Sequence, residues 1–456
     1  MSDPRPPLHV VILAAGQGTR MRSALPKVLH PLAGRPMLRH VVDAAMALEP
    51  AAVHVVHGHG GARVREALGD TDLCWVEQAE QLGTGHAVQQ AMPGIGDDAV
   101  VLVLYGDVPL VRAETMEALV AAAAHGPAVL TVELDDPAGY GRVIRDAEGF
   151  VERIVEHKDA RPEERALTET NTGLMAAPAA ALRDWLGRCG NDNAQGEYYL
   201  TDCVALARAD GVRVTAAQAA DPAEVAGVND RVQLQAAERA YQCRVADTVL
   251  RQGLGLADGS RFDLRGILRF GQDCVVDVGV VMEGSVTLGD NVRIGPYVCL
   301  RDVTIESGAV IESHSVLEGA HVGRDGRVGP FARLRPGAEL GAAARVGNFV
   351  EIKKAVIGPG SKVNHLSYIG DARLGSNVNV GAGTITCNYD GASKHHTEIG
   401  DRAFIGSGTQ LVAPVSVAPG SVLGAGTTLT RDTEADSLTV TRAPARSVSG
   451  WARRRR

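Results

Sequence analysis

The feature that most constrains the fold is a period of six among the aliphatic residues of the C-terminal half. The series begins at Val276 and proceeds in steps of six, with occasional steps of five, up to Val380. After an interruption it resumes at Ile399 and ends at Leu429. Chance does not produce such a series, so this part of the chain is a repeat array. Its aliphatic positions are Val276, Met282, Leu288, Ile294, Leu300, Ile305, Ile311, Leu317, Val322, Val328, Leu334, Leu340, Val346, Ile352, Ile357, Val363, Ile369, Leu374, Val380, Ile399, Ile405, Leu411, Val417, Leu423 and Leu429.

A period of six matches neither the strand period of 2 nor the helix period of 3.6. It suits a coil with three flat sides, in which each side is a short strand with one inward aliphatic residue and a corner that tolerates glycine. Stacked coils lie about 4.8 Å apart and enclose a narrow interior that favours Val, Ile and Leu. The aromatic content of only 4% agrees with this geometry. The interruption predicts a loop from Thr386 to Thr397 that leaves one corner, and such loops usually serve binding.

The N-terminal half has a different pattern, in which apolar runs alternate with helical segments. This alternation predicts βαβ units and a mostly parallel sheet covered by helices. Residues Arg231–Arg251 lack Gly and Pro and have helical spacing, so we expect one long helix there. We therefore predict a first domain over residues 1–229, a linker helix over 230–251 and a second domain over 252–456. The expected strands of the first domain are His9–Leu13, Val53–His57, Leu73–Val76, Val100–Leu104 and Val129–Val132.

Composition excludes several classes of protein. The composition, with 45% hydrophobic and 22% charged residues, is typical of globular proteins. The length of 456 residues favours several domains. The formal net charge of -8 argues against nucleic acid and anionic membranes as partners. Seven scattered cysteines without a Cys-x-x-Cys pair indicate reduced thiols. No long apolar segment or secretory leader is evident, so we expect a cytoplasmic protein without membrane insertion.

A glycine loop follows the first predicted strand, over Leu13–Met21, and Lys27 comes shortly after it. Such a loop places backbone N–H groups against phosphate, although a plain tight turn is the simpler alternative. A dinucleotide site would need a third glycine near Met21 and an acidic end to the second strand, and neither is present. A Gly-Lys-Ser/Thr sequence is also missing from the loop. The two cations Arg20 and Lys27 instead suit a triphosphate whose charge shifts during displacement at phosphorus.

Asp107 lies just beyond the carboxyl end of a predicted strand, where open α/β sheets bind ligands. A carboxylate beside a triphosphate commonly holds Mg²⁺, with phosphate and water as the other ligands. The alternative is an aspartate that only caps the next turn.

These motifs resemble those of the sugar-phosphate nucleotidyltransferases. Together with the hexapeptide half, they make roughly residues 8–450 similar to the bifunctional bacterial N-acetylglucosamine-1-phosphate uridylyltransferases that are also glucosamine-1-phosphate N-acetyltransferases. The resemblance implies an α/β Rossmann-like nucleotidyltransferase domain followed by a left-handed parallel β-helix, assembled as a homotrimer. The quoted motifs are Leu13–Met21, Lys27, Gln78–Thr84, Tyr105–Asp107, Gly139–Arg142, Glu156–Lys158, Asn171–Gly173 and Gly227–Asn229.

The resemblance also implies roles at the nucleotidyltransferase site. Gln78, Gly83 and Thr84 would hold uracil, and Asp107 and Asn229 would bind Mg²⁺. Arg20 and Lys27 would stabilise the charge as N-acetylglucosamine 1-phosphate displaces pyrophosphate from UTP. Gln17 departs from the lysine that is common at this loop position. The full implied set for nucleotide and sugar is Leu13, Ala14, Ala15, Gly16, Lys27, Gln78, Gly83, Thr84, Tyr105, Gly106, Asp107, Gly141, Glu156, Asn171 and Asn229, of which Gly141, Glu156 and Asn171 would hold the sugar.

A second site is implied in the repeat array, where an acetyl group would pass from acetyl-CoA to glucosamine 1-phosphate. His365 would accept the proton that the substrate ammonium must lose, a role that suits imidazole near neutral pH. The sugar-phosphate contacts would be Arg335, Lys353, Tyr368 and Asn379. The acetyl-CoA contacts would be Ala382, Asn388, Tyr389, Ser407, Ala425 and Arg442. Because several of these are far from His365 in the sequence, we expect a cleft shared between subunits.

Competing interpretations remain open at this point. The chain could be a nucleotidyltransferase whose repeat array only assembles or regulates it, or a regulatory subunit without catalysis. The second interpretation would predict the loss of Arg20, Lys27 or Asp107, and all three are present. We interpret the histidines at 54, 57 and 59 as structural residues rather than as a metal site. We interpret Cys387 as a surface or loop cysteine rather than as a nucleophile. The Arg453–Arg456 tail is read as solvated.

Overall fold

The computed structural model describes residues 6–449 except Gln17, His59, Asp70, Thr71 and Arg442. The chain divides into two compact units, residues 1–241 and residues 242–456. None of the helices in the described ranges is long and apolar enough to cross a membrane.

The first unit is built on a mixed sheet in which the described strands follow the order β11-β7-β10-β6-β1-β4-β5. Strand β1 pairs in parallel with β4 on one side and β6 on the other, as the alternating apolar runs predicted. All five predicted strands are present. The strands are β1 Leu8–Ala14, β2 Pro31–Leu32, β3 Arg35–Pro36, β4 Ala52–His57, β5 Leu73–Glu77, β6 Val100–Tyr105, β7 Ala128–Glu133, β8 Arg142–Arg145, β9 Val151–Val155, β10 Glu169–Pro178 and β11 Thr215–Gln218.

Helices cover both faces of this sheet because its strands are apolar on both sides. Val10 and Ile12 point to one buried cluster and Val11 and Leu13 to another, and each of the four is at most 9% exposed. The helices are α1 Met37–Met46, α2 Gly61–Leu68, α3 Thr84–Ala91, α4 Ala113–Ala122, α5 Pro162–Arg165, α6 Ala179–Arg188 and α7 Asp202–Ala209.

The sequence pattern did not reveal the antiparallel part of the sheet. Strand β10 runs antiparallel to both β6 and β7, and β8 and β9 form an antiparallel pair at its side. The mixed sheet is therefore parallel only in part. Strand β10 changes register against β7 between Asn171 and Met175, and its first part also pairs with β8, where Thr170 lies opposite Arg142.

Helix α8 spans Arg231–Arg251, as its helical spacing predicted. The division between the two units falls inside this helix, at Tyr241 and Gln242. Ala237 belongs to a buried cluster of the first unit, whereas Ala246 and Val249 belong to the core of the second.

The second unit is a left-handed parallel β-helix, as predicted. Its described strands form ladders, in which each strand pairs in parallel with a strand of the following coil. Glu351, for example, lies opposite Tyr368 of the next coil. The strands are β12 Gly255–Leu256, β13 Phe262–Phe270, β14 Val275–Val276, β15 Val280–Leu288, β16 Arg293–Ile294, β17 Cys299–Ile305, β18 Val310–Ile311, β19 Val316–Glu318, β20 His321–Val322, β21 Arg327–Val328, β22 Arg333–Leu334, β23 Ala338–Leu340, β24 Arg345–Asn348, β25 Glu351–Ile357, β26 Lys362–His365, β27 Tyr368–Leu374, β28 Asn379–Val380, β29 Ile385–Cys387, β30 Thr397–Ile399, β31 Phe404–Ile405, β32 Gln410–Val412, β33 Val415–Val417, β34 Val422–Leu423, β35 Thr428–Leu429 and β36 Leu438–Thr439.

The hexapeptide series forms the core of this unit. Every aliphatic residue of the predicted series is buried, with no exposure above 4%. Four ring side chains stand outside the interior on one corner, where Tyr297, His314, Phe331 and Phe349 stack on successive coils. The predicted loop is also present, because the strand pairing of the coil breaks between β29 and β30.

We predict that a fragment ending at Arg251 folds without the β-helix, because the first unit has its own buried clusters. Circular dichroism and a cooperative thermal transition are the measurements. A second fragment ending at Tyr241 should fold equally well and be more soluble, since it does not expose Ala246 and Val249. A non-cooperative melt of both fragments would contradict independent folding.

A second prediction concerns the thermal stability of the first unit at low pH. Burial lowers the pKa of both His9 and His54, whose rings stack with Nδ1 of His9 and Nε2 of His54 3.1 Å apart. A histidine whose folded pKa is depressed stabilises the fold above its unfolded pKa of about 6.5 and loses that contribution as pH falls. We expect the Tm of the 1–251 fragment to fall between pH 7.5 and about pH 5. In His54→Gln this fall should be smaller, because one of the two depressed histidines is gone. An equal fall in both proteins would exclude His54 as a source.

Candidate active sites

The first candidate site is a cavity of about 290 Å³ at the carboxyl ends of β1 and β6. Ten of its lining residues belong to the predicted nucleotide and sugar set, and Val28, Gln81, Ala87 and Glu197 were not predicted. The position agrees with the rule that open α/β sheets bind ligands beyond the carboxyl ends of their strands. The ten are Leu13, Ala14, Ala15, Gly16, Lys27, Gln78, Gly83, Thr84, Tyr105 and Asp107.

Three charged or polar side chains converge at the wall of this cavity. The Lys27 ammonium donates a short hydrogen bond to Asp107 and a second one, of 3.0 Å, to Oδ1 of Asn229. Asn229 is 202 residues away from Lys27 in the chain, and it is brought there when Val228 N donates to the Asp107 carbonyl at 2.8 Å. Two protein oxygens therefore point at a single cation.

The opposite wall is formed by a tight turn before helix α3. Gln78 is only 3% exposed, and its Nε2 donates to the Gly83 carbonyl at 3.1 Å. Gly83 has a φ of +111°, and a Cβ there would lie 2.6 Å from the Tyr198 carbonyl oxygen. Only glycine fits this close approach, so the turn is rigidly held against the chain at Tyr198.

The residues expected to hold the sugar lie together beside the cavity. Asn171 N donates to the Gly141 carbonyl at 2.9 Å, and a Cβ on Gly141 would lie 3.5 Å from both carboxylate oxygens of Glu156. Thr201 Oγ1 also lies 3.4 Å from Glu156. Burial raises the pKa of the Glu156 carboxyl and of the Tyr105 hydroxyl, so both groups favour their neutral forms more than they would in water.

Arg20 and Gly106 are two further predicted residues outside the cavity lining. Arg20 is exposed in the short 3-10 turn Thr19–Met21, and Gly106 contributes its N–H to the Leu13 carbonyl at 2.9 Å. Gln17, whose identity departs from the common pattern, lies outside the described residues.

The second candidate site follows one corner of the β-helix. Backbone N–H groups of Leu366, Gly383, Gly408 and Gly426 donate to the carbonyls of successive corner residues, at 2.7–3.4 Å. We call this column the His365 corner. From one coil to the next it consists of Asn348, His365, Ala382, Ser407 and Ala425.

The His365 corner brings together residues that are far apart in the sequence. Ser407 is two coils from His365, which corresponds to about 10 Å. Ser407 therefore stands on the same corner as His365, because each coil returns the chain to that corner. Arg442, the last predicted acetyl-CoA contact, lies outside the described residues.

A polar row stands on the face that follows this corner. Arg335 and Lys353 occupy the same position on consecutive coils, and Gly370 pairs with Lys353 on the next. A Cβ on Gly370 would lie 2.3 Å from the Tyr368 hydroxyl, so glycine leaves the space over which the Tyr368 ring extends beside Lys353.

The loop after β29 is fixed to this row. Asn388 Nδ2 donates to Asp371 at 2.5 Å and to the Tyr368 hydroxyl at 3.4 Å. A hydrogen bond and the charge of Lys353 lower the pKa of Lys394, a loop residue that our site prediction did not include. Two ammonium groups side by side are suited to bind an anion.

Asn379 has a different position from the rest of the predicted sugar-phosphate set. It pairs with Lys362 in the ladder of β24, β26 and β28, whereas Lys353 and Tyr368 lie in the ladder of β25 and β27. The described chain does not bring Asn379 onto the same face as Tyr368.

The histidines at 54, 57 and 59 and Cys387 were interpreted above as structural or surface residues. His54 bonds to His9 rather than to a ligand cluster, and His59 lies outside the described residues. In the described ranges, no group of three or more His, Cys, Asp or Glu side chains could hold a metal ion. Burial raises the pKa of Cys387, which makes its thiol a poorer nucleophile.

Comparison with known proteins gives a family match in each half of the chain. The model of the MobA-like NTP transferase domain matches residues 10–199, and that of the GMPPB C-terminal domain matches residues 266–368. The chain is 63% identical over 446 residues to the bifunctional protein GlmU of Alkalilimnicola ehrlichii, with 98% of this chain and 96% of that protein covered. The chain belongs to the GlmU family.

Further relatives are consistent with this family. The bifunctional protein GlmU of Marinobacter nauticus is 55% identical over 448 residues, which cover 98% of this chain and 99% of that protein. Among solved structures, a UDP-glucose pyrophosphorylase complexed with UDP-glucose is 18% identical with a TM-score of 0.44, covering 52% of this chain and 98% of that one.

Membership of the GlmU family confirms the predicted bifunctional enzyme, with a uridylyltransferase and an acetyltransferase activity. It does not favour the alternative of a single transferase with a structural or regulatory β-helix. The family generally uses a divalent metal ion for nucleotidyl transfer. Sequence reasoning missed Glu197, Thr201 and Asn348, which lie outside the quoted motifs.

Proposed function

We propose that the cavity of the first unit transfers UMP from UTP to N-acetylglucosamine 1-phosphate. We further propose that the His365 corner transfers an acetyl group from acetyl-CoA to glucosamine 1-phosphate. The observation that supports this division is that each unit carries its own constellation of polar residues, one around Lys27 and the other around His365. A plain spacer has no need of the second constellation.

Uridylyl transfer follows from the charges of the cavity. An oxygen of the sugar phosphate attacks the α-phosphorus of UTP in line, and pyrophosphate leaves from the opposite side. Lys27 is placed to neutralise phosphate charge, and Arg20 would join it from the exposed turn once substrate is bound. Gln78, Gly83 and Thr84 would position uracil, while Gly141, Glu156 and Asn171 would position the sugar.

The two side-chain oxygens that accept hydrogen bonds from Lys27 are suitable ligands for Mg²⁺. Asp107 and Asn229 present a carboxylate and an amide oxygen to one ammonium group, and Mg²⁺ is commonly held by one or two such oxygens together with phosphates and water. Mg²⁺ bound there would neutralise the charge that develops on the phosphates. Because the Lys27 ammonium contacts the same two oxygens, Lys27 must turn toward the substrate phosphates when a metal ion binds.

Acetyl transfer follows from the His365 corner. His365 accepts a proton from the ammonium of glucosamine 1-phosphate, and the free amine attacks the thioester carbon of acetyl-CoA. Arg335, Lys353, Tyr368 and Asn379 would hold the sugar phosphate. Lys394, beside Lys353, would add a second cation to the same phosphate. Ala382, Asn388, Tyr389, Ser407, Ala425 and Arg442 would contact acetyl-CoA.

We also propose a cytoplasmic homotrimer with a composite acetyltransferase site. Asn379 lies on a different face from Tyr368, which favours a cleft in which a second subunit supplies Asn379. The exposed rings of Phe331 and Phe349, beside a depression of about 430 Å³ that Tyr368 also lines, supply apolar surface for such packing.

The function is tested by supplying glucosamine 1-phosphate, acetyl-CoA, UTP and Mg²⁺ together. CoA, pyrophosphate and a UDP-sugar should all appear. In Asp107→Asn, we expect pyrophosphate release to fall by more than about 10²-fold while CoA release is unchanged, since only one site loses a metal ligand and a phosphate-site charge. Glu117→Gln, an exposed change on α4, is the control. Normal pyrophosphate release by Asp107→Asn at ordinary Mg²⁺ would remove Asp107 from the metal site.

The composite site is tested by mixing chains. His365→Ala should lower acetyl transfer by roughly 10²–10⁴-fold, the usual range for loss of a general base. Mixed trimers of His365→Ala and Asn379→Ala chains should recover part of the activity, because some clefts then receive both intact residues from different subunits. A monomer in light scattering, or no recovery in proven mixed trimers, would exclude the shared cleft.

A further inference from the structure

The imidazole of His365 has a side-chain partner that our site prediction did not include. Nδ1 of His365 lies 3.0 Å from Oδ1 of Asn348, which stands directly below it on the His365 corner. The backbone of His365 is held as well, since Ser367 Oγ donates to its carbonyl at 2.8 Å. The ring is therefore oriented from one side, while the residue remains exposed on the other.

The partner atom, Oδ1 of Asn348, determines which ring nitrogen of His365 carries the proton. An amide oxygen can only accept, so a neutral His365 must carry its proton on Nδ1 when it bonds to Oδ1 of Asn348. The lone pair is then on Nε2. Without such a partner, a neutral imidazole in water prefers the other tautomer, which has no lone pair at Nε2 and cannot take a proton there.

Asn348 reaches His365 because of a glycine beside it. Gly347 stacks beneath Asn364, and a Cβ at Gly347 would lie only 2.0 Å from the Asn364 carbonyl oxygen. The two coils approach closely at this point, which brings the side chains of Asn348 and His365 into hydrogen-bond contact. Above His365, the corner continues with the small side chain of Ala382.

We propose that Asn348 is a positioning residue of the acetyltransferase reaction, which holds His365 in the tautomer that accepts a proton at Nε2. The inference rests on the proposed role of His365 as the base. One proton of the substrate ammonium passes to Nε2 and on to water. The free amine then attacks the thioester carbon, the C–N bond forms as the C–S bond breaks, and a second proton passes from the nitrogen through Nε2 to the leaving CoA sulfur. Asn348 itself exchanges no proton and touches no reacting atom.

The test compares three variants by acetyl-transfer kinetics over a range of pH. In Asn348→Ala, kcat should fall about 10-fold or more, which is less than the full loss of the base. The KM values for glucosamine 1-phosphate and acetyl-CoA should stay within about 2-fold, because Asn348 acts through His365 rather than on a substrate.

Asn348→Asp is the conservative variant that keeps an acceptor oxygen. We expect kcat to recover to within about 3-fold of the unmodified enzyme. The added carboxylate also stabilises the imidazolium, so the acidic limb of the kcat/KM profile should move to higher pH. A merely structural role of Asn348 predicts no such movement.

Two controls separate the outcomes. Arg327→Ala, an exposed change two coils from His365, should leave acetyl transfer unchanged, and the uridylyl activity of each variant reports whether the chain is intact. If His365→Ala retains full acetyl transfer, the proposed base is wrong. If His365→Ala is inactive while Asn348→Ala keeps its kcat, or Asn348→Asp leaves the pH profile in place, only the role of Asn348 is overturned.

Discussion

The regular stacking of one inward aliphatic residue per side is the constraint on which the second unit depends. Leu334, Ile352 and Ile369 lie on consecutive coils, each fully buried or nearly so, and their burial sets the register of every coil. Once the register is set, outward side chains one coil apart must stand in rows about 4.8 Å apart. The His365 corner and the row of Arg335 and Lys353 are both consequences of this packing.

Glycine matters at a few positions because the coils approach so closely. Gly347 and Gly370 have no room for a Cβ, but for different reasons. At Gly347 the obstacle is the backbone of the next coil, which brings His365 within reach of Asn348. At Gly370 the obstacle is the Tyr368 ring, which extends over the space beside Lys353. In both cases the missing side chain supports a functional neighbour.

Charged groups hold the candidate site of the first unit together, whereas the stacking of coils arranges the candidate site of the second. Lys27, Asp107 and Asn229 come from three separate segments. Asp107 follows the carboxyl end of β6, Lys27 lies in a short 3-10 turn, and the bond from Val228 N to the Asp107 carbonyl holds Asn229 beside them. Their hydrogen bonds satisfy one another while the cavity is free of substrate. The same groups can then turn to phosphate and metal, so the arrangement binds charged substrates without leaving buried charges unpaired.

The sequence by itself determined the repeat, the parallel strands of the first unit and the long helix, because each has a periodic pattern that burial imposes on the chain. It also predicted Lys27, Asp107 and His365 as site residues, since they stand within recognisable segments. Only the tertiary structure decided the antiparallel strand β10, the nearness of Ser407 to His365 and the contact between Asn348 and His365. These depend on how distant segments are stacked, and no local pattern records the partner that a side chain meets one coil away.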